Sequence, residues 1–286
     1  MKNLLLLSGI LLCLSTSYAQ DSTSNWSPSL QLDFTSVPTQ SISGTDTSYQ
    51  NSLSVAPVFD YRSSGGFGIS YSPVWVTGGS HPGIFMHQVT VGLEQYNNSK
   101  WILVADYIHY FFTGNPSIPS SPLTNEVVGE IATKQYGVNP QLSAGIGFGR
   151  VGSGSTPYDV EASAGISHTF KWKVSKGDIT LIPALLAEGG TSRYFSFLRL
   201  TKSISHAKSF ARLLKNVRAR NNKRNSGSTT TRNSQKFYLT DFEINSELTW
   251  ETGSWSFRPS GSLFIPASAV SGGVSGYWEF NISYYF

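Results

Sequence analysis

Apolar and polar residues alternate along most of this chain with a period of two, the period of a strand covered on one face. The clearest run is DVEASAGISHTFKWKV (159 to 174). It sets Val160, Ala162, Ala164, Ile166, His168, Phe170 and Trp172 against Asp159, Glu161, Ser163, Thr169, Lys171 and Lys173. The last ten residues, YWEFNISYYF, put Trp278, Phe280, Ile282, Tyr284 and Phe286 on one face and Tyr277, Glu279, Asn281, Ser283 and Tyr285 on the other. Similar segments at 29–35, 52–61, 66–76, 87–96, 100–112, 141–151, 178–188, 238–250 and 254–265 bring the predicted strands to eleven. The segment 100–112 is apolar on both faces at its start, with Asp106 opposite Trp101, Leu103 and Tyr107.

The connections supply a twelfth. Short turns at 62–66, 97–99, 175–178 and 251–254 alternate with longer stretches at 36–51, 77–86, 113–124, 152–158, 189–236 and 266–274. Long and short alternate without a break only if NEVVGEIATKQY (125 to 136) is also a strand, joined by GVNP (137 to 140) to the next. Its own pattern is weak, and Val127, Val128, Ile131 and Ala132 also suit a helix; parity favours the strand, because closed up-and-down barrels normally have an even number.

Both ends of the chain narrow the class. Met1 and Lys2 precede the apolar NLLLLSGILLCL, and Ser17-Tyr18-Ala19 offers a small-x-small cleavage pattern, so residues 1–19 read as a secretory signal peptide and 20–286 as one mature domain. Cys13 is the only cysteine and leaves with the signal, so the mature chain has neither disulfides nor thiolate metal ligands. After the signal no apolar run approaches the roughly 20 residues of a helical span, so a membrane crossing must be made by strands. Charged residues at 13%, aromatics at 13% and a mean hydropathy of −0.14 suit strands that hide their hydrophobicity by alternation.

A secreted chain of alternating strands ending on an aromatic strand with a terminal Phe resembles the outer-membrane β-barrel proteins of Gram-negative bacteria. The resemblance implies an all-β fold, a transmembrane antiparallel up-and-down barrel of about 12 strands with both termini periplasmic. It implies outer-membrane lipid and lipopolysaccharide as surroundings, and the barrel insertion machinery as a partner that reads the strand Trp278–Phe286. A secreted β-sandwich or lectin-like domain would also be strand-rich. It would not place Trp75, Trp101, Trp172, Trp250, Trp255 and Trp278 near strand ends, where a membrane girdle needs them.

Charge is unevenly placed. Between 189 and 240 there are twelve Lys and Arg and no Asp or Glu; the rest of the mature chain holds eight cations against all 17 acids. Within that stretch, SISHAKSFARLLKNVRAR (203 to 220) has Ala207, Phe210, Ala211, Leu214 and Val217 at helical spacing, so the long outer loop 189–236 reads as basic and partly helical. Its cations Lys208, Arg212, Lys215, Arg218, Arg220, Lys223 and Arg224 admit three roles. They belong to a plain solvated loop, lie on lipid headgroup phosphates, or fold into the acidic lumen and neutralise it.

With apolar faces toward lipid, the inward face predicted from the pattern carries Asp33 and Asp60 together with Asp106, Glu161, Lys171, Lys173, Asp241, Glu243, Glu247, Arg258 and Glu279. Glu247, Arg258 and Glu279 lie on the last three strands and are placed to form one salt-bridge network. Enzymatic signals are thin. Asp106 and His109, three apart on a strand, face opposite sides. His81 stands beside Ser80 only in sequence, and no nucleotide, phosphate or metal motif appears, so neither catalytic residues, cofactors nor nucleic acid are expected. The expectation is a porin-like barrel that passes or binds small polar solutes. The alternative is a non-conducting barrel whose basic external loop binds lipopolysaccharide phosphates or a partner.

Overall fold

The computed structural model describes residues 26–43, 46–95, 98, 100–115, 123–134, 137–149, 158–191, 237–267 and 274–286, with the backbone alone for 37–43, 46–51, 275 and 277. Its elements are all strands. In chain order they are β1 (Trp26–Ser43), β2 (Asp46–Ser63), β3 (Phe67–Val76), β4 (Gly83–Gln95), β5 (Trp101–Phe112), β6 (Leu123–Thr133) and β7 (Asn139–Gly149). There follow β8 (Tyr158–Ser167), β9 (Phe170–Val174), β10 (Gly177–Gly190), β11 (Tyr238–Thr252), β12 (Trp255–Pro266) and β13 (Ser275–Tyr285). Each pairs antiparallel with its neighbour, β13 returns to β1, and β10 pairs with both β8–β9 and β11, so the sheet closes.

Thirteen strands make twelve staves. Ser167 pairs with Ala184 and Phe170 with Leu181, so β8 and β9 keep one register across their interruption. Opposite that interruption stands Pro183, which has no N–H to give to the ladder; its carbonyl still accepts from the His168 N–H at 3.1 Å. The single strand expected over 159–174 is thus one stave with a proline-made gap. The segment 125–136, placed by parity, is the strand β6, held on one side by β5 and on the other by β7.

One expectation fails. The stretch 36–51, read as a long loop, continues the strands: Ser36 pairs with Leu53 and the ladder runs on to Ser43 opposite Asp46. Its sequence, SVPTQSISGTDTSYQN, lacks the regular apolar alternation of the other strands, so pattern reading did not find it.

The short connections and both ends of the closed sheet lie at one end of the barrel, here the turn end; the longer connections lie at the other, the loop end. Turns at the first end are tight. Gly66 has φ +92°, its N–H donates to the Ser63 carbonyl at 2.9 Å, and its own carbonyl accepts from the Glu94 N–H at 2.9 Å. A Cβ at this position would strike the Glu94 backbone, so both the dihedral and the space require glycine. All three irregularities of register, at Val74/Trp75, Leu123/Asn125 and Glu188/Gly189, fall toward the loop end, where bulges commonly re-aim side chains at a barrel rim.

Register fixes which side chains face out. Across the middle of the sheet Ile166, Leu185, Ile244 and Leu263 are successive cross-strand partners, and all four are exposed. The outward positions elsewhere are also apolar, including Ile69, Leu103, Ile131 and Leu142. Aromatic residues stand toward both ends of this band. Trp26, Tyr61, Phe67, Trp101, Trp250 and Trp255 lie toward the turn end, and Trp75, Phe111, Phe148 and Tyr158 toward the loop end. In water such an exterior would be severely unfavourable; against lipid it is the expected outer face, with aromatic girdles at the two interfaces.

Candidate functional site: the barrel lumen

Inward positions carry the polarity. Of the 17 Asp and Glu in the chain, all except Asp21, which is outside the described residues, and Asp46, whose side chain is not described, sit at inward register positions. A closed sheet with apolar residues toward lipid leaves ionised groups only the interior.

The turn-end half of the lumen is a cavity of about 1370 Å³, lined among others by Gln31, Asp60, Arg62, Glu94, Gln141, Lys171, Glu247 and Arg258. Its best-held charge is Arg62. One guanidinium nitrogen donates to the Asp60 carboxylate at 3.0 Å and to Glu94 at 2.7 Å, and the other donates to the Gly66 carbonyl at 2.8 Å. Arg62 thereby ties β2 to the β4 carboxylate and to the turn between β2 and β3. Across the cavity Arg258 meets Glu247 at 3.4 Å, and Thr249 donates to the same Glu247 oxygen at 3.3 Å. At the rim, burial and the nearby Lys171 ammonium hold Lys134 below the usual lysine range.

Replacing Arg62 with Ala leaves two largely buried carboxylates facing each other, which is the expensive way to break an ion pair. The expected cost is about 2–4 kcal/mol in unfolding from lipid vesicles by urea. The double variant Arg62→Ala, Glu94→Gln should recover part of it. An Arg62→Ala protein as stable as wild type would show that water in the cavity fully replaces the guanidinium.

A second polar network runs along the seam where β13 meets β1. Asn281 donates from Nδ2 to Asp33 at 2.8 Å and to Glu279 at 2.5 Å. Gln31 donates to Asp33 at 2.5 Å, Ser283 donates to the Gln31 amide oxygen at 3.1 Å, and Thr35 and Ser54 share a hydrogen bond of 2.5 Å. These residues are buried and on the lumen side, while Phe34 and Phe280 stack at 6.3 Å on the outer side of the same seam.

The loop-end half is walled by two kinds of surface. Glu126, Asp159, Glu161, Glu188, Asp241 and Glu243, on β6, β8, β10 and β11, form an acidic arc; each is no more than 4% exposed. Within it Tyr110 donates to Glu126 at 2.8 Å, Ser262 to Glu243 at 2.7 Å, and Thr191 to Asp159. Across from this arc, β3, β4 and β5 turn Val74, Val76, Phe85, Met86 and Ile108 inward, all of them buried.

The predicted lumen residues are placed as follows. Asp106, Glu161, Asp241, Glu243 and Glu279 are inward and buried. Glu247 and Arg258 are paired, and Glu279 accepts a hydrogen bond from Asn281 in the seam network. Lys171 lines the cavity; Lys173 lies two residues nearer the β9–β10 turn and is exposed. The basic residues Lys208, Arg212, Lys215, Arg218, Arg220, Lys223 and Arg224 lie outside the described residues. Pattern reading missed Arg62, which it assigned to a turn, and Glu94, Glu126, Glu130, Glu188 and Glu251. Glu94 was recoverable from its parity with Gln88 and Thr90; Glu126 and Glu130 sit on the strand whose pattern was weakest.

The described histidines serve the outer surface. His109 shares a hydrogen bond with Asn125 at 2.8 Å, and Tyr107 donates to that same amide oxygen at 2.6 Å. His87 meets the Tyr71 hydroxyl at 2.8 Å. Asp106 faces the opposite side of β5 from His109. Among the described residues no group of His, Cys, Asp and Glu is arranged to hold a metal ion, and no helix is long and apolar enough to cross a membrane.

No protein-family model matches the chain, and no curated protein matches it significantly. Among solved structures, similarity is found to the NanC porin, with 9% identity, 89% of this chain and 98% of that chain covered, and a TM-score of 0.43. The outer membrane channel from Pseudomonas putida F1 is similar at 9% identity, 94% and 98% coverage and a TM-score of 0.38. The KdgM porin in complex with disordered oligogalacturonate is similar at 11% identity, 90% and 99% coverage and a TM-score of 0.36. These likenesses are distant; the closed twelve-stave sheet, its apolar exterior with aromatic girdles and its acidic interior make this chain, by its architecture, a membrane-spanning β-barrel.

Proposed function

We propose that this protein is a porin-like barrel of the Gram-negative outer membrane that passes or holds small polar solutes, with its turn end toward the periplasm. The observation that carries the reading is the cavity of about 1370 Å³ at the turn end, walled by Gln31, Asp60, Arg62, Glu94, Glu247 and Arg258. A barrel serving only as an anchor can fill its interior with side chains, as small eight-stranded barrels do. This one leaves an open cavity at its turn end, walled by ionised and amide groups, which is what a hydrated solute path requires. Twelve staves lie between the filled eight-stranded barrel and the open sixteen-stranded one, consistent with a narrow passage for small molecules.

The test is conductance in planar bilayers, using the chain without residues 1–19 refolded into detergent, both intact and lacking 199–236. Discrete steps from either form support a channel. Silence from both, with folding confirmed by β-structure, overturns the porin reading and leaves a barrel whose activity resides in what it binds.

A further inference from the structure

We propose that one corner of the turn-end cavity is a binding site for the oxyanion of a small solute, a carboxylate or a phosphate, held between Lys134 and Lys171 with the Gln141 amide as a further donor. The inference rests on reading the cavity as a solute path and adds the chemistry that path recognises. The corner comes from a mismatch in stave length. β7 starts at Asn139, level with Ser167 on β8. The stave of β8 and β9 runs on to Val174, so Thr169 and Lys171 overhang the turn between β6 and β7. His168 fastens the two by donating from Nδ1 to the Gly137 carbonyl. Lys134 directly follows the last residue of β6 at the same turn, where its N–H donates to the Lys100 carbonyl at 2.8 Å. Lys134, Asn139, Gln141, Thr169 and Lys171 therefore share one sector of the cavity wall.

Two observations point to an anion. The first is charge. Elsewhere on the cavity wall the cations are engaged, Arg62 by Asp60 and Glu94, and Arg258 by Glu247. Among the described residues Lys171 has no carboxylate at ion-pair distance, and the charge it meets is another cation, Lys134. Burial and that neighbour hold Lys134 below the usual lysine range, and an oxyanion between two ammonium groups would relieve their repulsion. Glu130, which also lines the cavity, stands four residues and about 13 Å along the chain from Lys134. The second observation is the amides. Among the described residues Gln141 Nε2 is buried with no hydrogen-bond partner, and the Oδ1 of Asn139, itself 5% exposed, is likewise unpartnered. A buried donor left unmade costs free energy that an accepting oxygen restores. An oxyanion accepts from Gln141 and from both lysines, and a hydroxyl of the same solute can donate to Asn139.

Isothermal titration calorimetry reads the site directly, using the chain without residues 1–19 refolded in detergent, with inorganic phosphate and succinate as probes and glucose as the uncharged control. Saturable binding of one or both anions, and none of glucose, is expected. Lys134→Gln combined with Lys171→Gln should weaken it about tenfold or more, since each lysine supplies a charge-assisted hydrogen bond. Gln141→Leu changes no charge and should still weaken it several-fold, roughly the loss of one hydrogen bond. Lys173→Gln combined with Lys176→Gln removes the same charge from the same end of the barrel but outside the cavity wall, and should leave affinity within about twofold. No saturable binding of either anion would overturn the proposal. So would equal losses from the two lysine pairs, which would reduce the effect to rim charge, or wild-type affinity in a folded Gln141→Leu protein. Calorimetry in detergent reads binding whether or not the barrel conducts. A silent barrel that binds therefore sinks the porin reading alone, and a conducting one that does not bind sinks this inference alone.

Discussion

Asn281→Asp should prevent this barrel from closing stably, although it changes one amide nitrogen to oxygen. Asn281 is the donor between two acids of the β13–β1 seam, reaching Asp33 at 2.8 Å and Glu279 at 2.5 Å, and all three are no more than 5% exposed. The substitution removes both donated hydrogen bonds, each to a charged acceptor and worth about 1.5–3 kcal/mol, and sets a third carboxylate against the other two. Arg258, the cross-strand neighbour on β12, offsets little, because it is already engaged with Glu247. A loss of about 3–5 kcal/mol is expected, in the range for leaving buried charge uncompensated. The measurement is the heat-modifiable folded band on a gel together with the urea midpoint in vesicles. Asn281→Leu, which loses the donors without adding charge, should fall between variant and wild type. If Asn281→Asp keeps the wild-type midpoint, the seam is wet enough to solvate three carboxylates, and closure rests on the backbone ladder from Ser29–Tyr285 to Thr35–Glu279 alone.

That seam was half legible. The outward face of YWEFNISYYF announced a lipid-facing strand, parity placed Glu279 and Asn281 inward, and a closed barrel returns the last strand to the first, but nothing in the sequence set the register that puts Asn281 opposite Asp33. Register between distant segments is set by the whole closed sheet and is not a local signal. The same limit hid Asn281, whose place as donor to both Glu279 and Asp33 depends on that register.

Alternation revealed staves wherever one face met lipid and the other met polar lumen, as in β3, β8 and β13. It faded in two places for opposite reasons. In β5 the inward positions Val104, Ile108 and Tyr110 are as apolar as the outward ones and are buried. In the β1–β2 extension there is little apolar to alternate. The weak strand β6 was recovered only because a closed antiparallel sheet demands an even count of staves. Lumen acids were readable by parity, whereas Arg62 was hidden by lying next to a glycine turn. Its role depends on Glu94, 32 residues away.

The exterior permits the converse experiment. Leu185 is 53% exposed near the middle of β10, between Ile166 on β8 and Ile244 on β11, and Leu263 on β12 continues the row. Leu185→Arg puts a guanidinium at mid-band, where snorkelling to either interface is longest, and should cost about 2–4 kcal/mol in unfolding from bilayers. Ser260→Arg, an inward position opposite Glu247 and Glu279, should cost far less than this or stabilise, since the added charge meets carboxylates. Comparing the two in vesicles and in water-soluble form decides what the exposed apolar face is for. A soluble sheet would tolerate an exposed Arg at 185, because surface substitutions of that kind cost little in water. A large penalty at Leu185 with little at Ser260 has one physical source, a barrel turned with oil outside and water within.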